Sequence, residues 1–181
     1  MIFILLGLAL WSGAHFWKRL APGSRAGFGD KGKGIVAVAL VVAIVLMVIG
    51  YRGYYGQENW AGGAALTGIN NLLMVFAFYL FAASGAKTRI TRVIRHPQLT
   101  AVKVWAIAHL LVNGDLGSIV LFGGLLAWAV AEVIVLNRAQ PDWTPANAVP
   151  VKKEVTAVIA TVVAFTIVAL IHLWLGVNPF G

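Results

Sequence analysis

The chain has no cysteine. That excludes disulfides, thiolate-bound metal, iron–sulfur clusters and the covalent attachment of c-type haem. Any metal or haem would have to be held by histidine, carboxylate or methionine, and the only methionines are Met1, Met47 and Met74. Charge is scarce too: 11% of the residues are charged, against about 25% in an ordinary soluble domain. The signatures of common soluble enzymes are missing, among them G-x-G-x-x-G after a strand, the Walker loop, H-E-x-x-H and G-x-S-x-G. The net charge is +8, yet no nucleic-acid reader motif accompanies it. The basic residues are therefore read as topology and headgroup signals, and nucleic acid is not an expected partner.

What the chain has in abundance is apolar residues, 60% of 181. A core of this size cannot hide them, so the lipid bilayer is the expected solvent. One integral membrane domain over residues 1–181 is expected. Six apolar runs, at about 2–17, 35–51, 64–84, 99–113, 116–136 and 155–177, predict an all-α polytopic transmembrane helix bundle. The fourth run is shorter than the roughly 20 residues a full span needs. The first run is apolar from its start and has Lys18 and Arg19 behind it, the reverse of a signal peptide, so it predicts a retained helix. The Gly-rich, basic stretch Leu20–Gly34 predicts a linker outside the bilayer. Tyr51, Tyr54, Tyr55 and Trp60 form an expected interfacial belt. Gly114-Asp115 predicts a tight turn that makes the fourth and fifth helices antiparallel neighbours. The loops after helices one, three and five hold Lys18, Arg19, Arg25, Lys31, Lys33, Lys87, Arg89, Arg92, Arg95, Arg138, Lys152 and Lys153, whereas the other side holds only Arg52. This bias predicts both termini on the non-cytosolic side.

Polar groups inside the membrane are costly, so each marks a structural or functional site. At about 1.5 Å per residue they fall into two tiers. His15, Lys103 and Glu132 lie about one turn from the cytosolic ends of their helices, and Lys103 and Glu132 form a candidate charge pair. Asn70, Asn71, His109, Asn113 and His172 lie deeper or further out. His109 and Asn113 are four residues apart and share a helical face with Trp105. Arg95 and His96, ahead of the helix start at Pro97, are candidates for binding phosphate, lipid or a propionate. Interhelical hydrogen bonding is the plain account of the asparagines. Gly123-Gly124 is read as a site of close helix packing. Two intramembrane histidines on different helices also form the simplest ligand set for b-type haem in a chain without cysteine. His109 is the leading ligand candidate. Depth counting places His172 opposite it, and His15 is the other option.

The stretch from Arg95 to Asp115 carries a further signal. Arg95-His96-Pro97-Gln98, then Trp105-x-x-x-His109, then Asn113-Gly114-Asp115, together with Ser12-Gly13-Ala14-His15 and the tail His172-Leu-Trp-Leu-Gly176-Val177, resembles the NnrU family over nearly the whole chain. That resemblance implies a bacterial inner-membrane protein associated by name with nitric oxide and nitrite metabolism in denitrification. The family is in turn similar to the plastid 15-cis-zeta-carotene isomerase, a b-haem membrane enzyme. By that similarity the haem ligands are His15 and His109. Phe16 and Leu173 depart from the isomerase pattern, which has a small residue and a proline there. The Arg-His-Pro motif is also similar to that of isoprenylcysteine methyltransferase-like enzymes, although the tyrosine that follows it there is missing here.

Three functional classes follow as expectations. The first is a haem-b-binding NnrU-like protein, a haem-dependent redox enzyme or an isomerase, acting on a small gaseous ligand or a lipid-soluble polyene. The second is a non-enzymatic helix bundle that assists a respiratory complex or self-associates. The third is a small transporter with Lys103, Glu132 and the asparagines along its path.

Overall fold

The structure is a computed structural model and describes residues 1–54, 62–145 and 149–180. The described residues fold into helices: α1 (Ile2–Leu20), α2 (Pro22–Gly27), α3 (Lys31–Tyr51), α4 (Ala64–Ala86), α5 (Pro97–Val112), α6 (Leu116–Ala139) and α7 (Val151–Trp174). Short 3-10 turns at Arg52–Tyr54 and Arg89–Arg92 follow α3 and α4. Among the described residues four helices are long and apolar enough to cross a membrane: α3 with the turn after it, α4, α6 and α7. Helix α5 is apolar but short, as its sequence implies. Helix α1 has 19 residues but is not among the four. Trp11, Ser12 and His15 in its second half and Lys18 and Arg19 in its last turn dilute its apolar character. Tyr55 and Trp60 of the expected belt lie outside the described residues.

The helices run past the apolar runs at their basic ends. Helix α3 starts at Lys31 rather than Ile35, and α7 at Val151 rather than 155. Lysine is a good helix former whose stem lies along the helix while the ammonium reaches the headgroups, so the helix need not stop where the hydrocarbon does. The expected linker is correspondingly shorter, and part of it is helix α2, which begins with Pro22 at the first-turn position that proline suits. At its other end α7 stops at Trp174. Gly176 adopts a left-handed φ of 83°, and the amides of Gly176 and Val177 bond back to Leu173 and His172. That is a Schellman closure, for which glycine is the favoured residue.

The chain divides into two compact units, each made of two stretches: Met1–Ala61 with Asn113–Pro141, and Gly62–Val112 with Asp142–Gly181. In the first unit α1 lies between α3 and α6. Gly7 packs on Ala43 and Met47, and Gly50 packs on Ile4, so α1 and α3 are antiparallel at close range. Leu8 sits over Gly124, and further along Trp11 and His15 meet Trp128, so α1 and α6 run parallel. Of the glycine pair on α6, Gly124 therefore makes the close approach, while Gly123 faces open space. Small residues matter here because apolar side chains gain no hydrophobic advantage by leaving lipid, and close backbone packing supplies the attraction instead.

The second unit joins α4 to both α5 and α7. Phe78 of α4 meets Phe165 of α7 edge to face, with ring centroids 5.6 Å apart. Helix α4 ends at Lys87, which takes a left-handed φ of 57°. The turn after it brings the Arg89 amide to Glu154. The short connection at Gly114-Asp115 runs from α5 to α6, and Asp115 caps α6 through the Ser118 amide. It does not make a hairpin within one unit, because α5 belongs to the second unit and α6 to the first.

Candidate functional site

His15, His109 and His172 share one local geometry. His15 Nδ1 lies 2.9 Å from the Trp11 carbonyl, His109 Nδ1 3.0 Å from the Trp105 carbonyl, and His172 Nδ1 2.8 Å from the Val168 carbonyl. In each case the partner is the carbonyl one helical turn back. A carbonyl only accepts, so Nδ1 carries the proton and donates. The tautomer is thereby set, and the lone pair of each neutral ring is on Nε2. Tautomer control through Nδ1–H is the usual second-shell arrangement of a metal-bound imidazole.

In the first unit His15 sits between two indoles. Its ring centroid lies 4.5 Å from Trp11 and 4.6 Å from Trp128, and the two indoles are themselves edge to face at 5.3 Å. Glu132 follows Trp128 by one turn of α6 and is 93% buried, at 7% exposure. Trp11 Nε1, Trp128 Nε1 and one carboxyl oxygen of Glu132 are buried without a hydrogen-bond partner among the described residues. Three unmet polar atoms on one helix seam are unusual, because each costs free energy in an apolar surrounding.

In the second unit His109 is half-buried beside Trp105, with ring centroids 5.0 Å apart. His109 and His172 belong to one unit, while His15 belongs to the other. Lys103 is half-buried on α5 in the second unit and Glu132 is buried on α6 in the first, so the two members of the expected charge pair belong to different units. Asn70 is buried and donates to Asn71 at 3.2 Å. Asn113 is half-buried just beyond α5. Arg95 and His96 are half-buried ahead of α5, and the His96 carbonyl accepts from the amide and hydroxyl of Thr100.

Two groups that sequence reasoning passed over stand out. The W-x-x-x-H spacing occurs twice, as Trp11–His15 and as Trp105–His109, with the same carbonyl bond and tilted ring contact. That repetition is visible in the sequence. The second group is Glu154, which accepts from the Arg89 amide at 2.6 Å and from the Tyr79 hydroxyl at 3.1 Å. A lone glutamate next to two lysines gives no local sign of partners 65 and 75 residues away.

Among the described residues no three His, Asp or Glu side chains converge to hold a metal ion. Haem iron asks for only one or two imidazoles, and the anchored histidines fit that demand. No curated protein and no solved structure matches the chain. Residues 3–179 match the NnrU family, described as NnrU protein, and with nearly its whole length covered the chain belongs to that family.

Proposed function

We propose that this NnrU-family chain is a bacterial inner-membrane protein that binds b-type haem, with His109 as an axial ligand. The observation that supports this reading is the Nδ1 bond of His109 to the Trp105 carbonyl, which fixes the tautomer in which Nε2 carries the lone pair a metal would need. His172 is the favoured second ligand, because it lies in the same unit as His109 and carries the same Nδ1 bond to a carbonyl one turn back. His15 is the alternative, supported by the matching W-x-x-x-H geometry and by the isomerase resemblance. When bound, the haem would supply a redox-active iron able to take a small gaseous ligand or to act on a lipid-soluble polyene. The residues named here would hold it, set the imidazole tautomer and keep water away.

The test is an optical spectrum of the purified protein from haem-replete cells, oxidised and reduced. The expected result is a Soret band that His109→Ala abolishes. Replacing the true second ligand, tested as His172→Ala and His15→Ala, converts a six-coordinate spectrum into a five-coordinate one. Colourless wild-type protein overturns the reading and leaves the non-enzymatic helix bundle in front.

A further inference from the structure

The basic end of the first unit holds a site unrelated to the histidines. Between α1 and α3 lies an open apolar groove of about 260 Å³. Leu10, Gly13, Ala14 and Trp17 line it from α1, and Ile35 and Ala39 line it from α3. Gly13 faces open space there, since a Cβ built on that residue meets nothing within 4 Å. The groove lies on the face of α1 opposite Trp11 and His15, at rotations that follow from 100° per residue.

Helix α2 folds back over the end of this groove. The Trp17 indole donates to the Ser24 hydroxyl at 3.2 Å and meets Phe28 edge to face at 5.4 Å. The guanidinium of Arg25 lies over the Trp17 ring, 5.8 Å from its centroid, and against Gly32, one turn before Ile35 and Val36. One of its N–H groups donates to the Gly29 carbonyl at 3.0 Å, and the others have no hydrogen-bond partner among the described residues. The cation is therefore held in place by an aromatic face and a carbonyl, with most of its fork of donors still to be used. Between residues 18 and 33 stand five basic residues and one acid, Asp30, whose carboxylate already pairs with Lys33 at 3.0 Å.

We propose that this groove is a binding site for one anionic phospholipid. An acyl chain lies between α1 and α3 against Gly13 and Ala14, and the phosphate is taken by the Arg25 guanidinium at the groove's mouth. The apolar lining suits a hydrocarbon chain and nothing charged. The unused Arg25 donors suit a phosphate, which arginine binds bidentately. The excess of basic over acidic residues at the rim selects an anionic lipid over a zwitterionic one.

The test uses the full chain in neutral detergent micelles, with native mass spectrometry to count bound lipid. Long-chain phosphatidylglycerol is titrated against phosphatidylcholine of the same chain length. The expected result is one retained phosphatidylglycerol per chain, preferred about five- to tenfold over phosphatidylcholine. Arg25→Gln removes the preference, and Arg52→Gln, at the opposite end of α3 from the groove, leaves it intact. Gly13→Leu fills the groove and weakens retention of both lipids. Ala39→Leu fills it from the other wall and does the same if Gly13→Leu impairs folding. The proposal is overturned if Arg25→Gln keeps the wild-type preference, or if the groove-filling variants retain lipid like the wild type. It is also overturned if glycerol phosphate without acyl chains competes as well as the lipid, because the site would then recognise phosphate alone.

Discussion

The ring of His15 lies 4.6 Å from the ring of Trp128, across the seam between two parallel helices that are 113 residues apart in sequence at this contact. Trp128 also meets Trp11 and is 94% buried, at 6% exposure. Its indole N–H has no partner among the described residues, so the residue stabilises the seam by the shape and area of its ring. Trp128→Ala should therefore lower unfolding stability in micelles by about 3–5 kcal/mol, the range for deleting a core aromatic. Trp128→Phe keeps a ring and removes the unmet N–H, and should cost less than about 1.5 kcal/mol. Equal losses in thermal or denaturant unfolding of the two variants would show that the N–H, not the ring, matters.

The start of α6 depends on a short relay. The Ser118 amide and hydroxyl both donate to the Asp115 carboxylate, and Tyr51, whose hydroxyl is 2.8 Å from Ser118 Oγ, donates to that oxygen in turn. Asp115 and Ser118 are both buried. Asp115→Ala removes the helix cap and should cost about 2 kcal/mol. Tyr51→Phe should cost about 1 kcal/mol. The double variant should lose less than the sum, since both residues act through one hydroxyl. A double-mutant cycle measured by denaturant unfolding checks this, and strict additivity would contradict the relay.

Glu154 holds the turn after α4 by accepting from the Arg89 amide and the Tyr79 hydroxyl. Glu154→Ala should let that turn open, and trypsin should then cut after Arg89 or Arg92 about fivefold faster, the equivalent of about 1 kcal/mol of lost restraint. Tyr79→Phe removes only the longer of the two bonds and should have the smaller effect. No change in cleavage rate for Glu154→Ala would mean that the turn is held by other contacts.

The orientation is open to a direct test because the chain has no cysteine of its own. Val93 is 77% exposed in the loop after α4, and Gly63 is exposed before α4 with space for a side chain. An impermeant thiol reagent added to intact cells should label Gly63→Cys and not Val93→Cys. The reverse pattern would invert the orientation that the basic loops imply.

The solvent of this protein, its helical class and the identity of its family were legible in the chain itself. Composition and runs of apolar residues are local properties, and in lipid a helix is the one single-segment solution for the backbone. The W-x-x-x-H geometry was equally local, since Trp105 and His109 meet through a single helical turn. The helix limits were less legible, because Lys31 and Lys152 continue a helix that hydropathy alone ends. Which helices pair was not legible at all. Gly114-Asp115 reads as a hairpin, yet α5 and α6 belong to different units. Hydrophobicity does not choose partners inside a membrane. The choice depends on the fit of Gly124 under Leu8, Gly50 on Ile4 and Trp128 on His15. That fit exists only once the helices are side by side, so the tertiary structure alone decided that His109 shares a unit with His172, and that His15 lies against Trp128 on α6, the helix of Glu132.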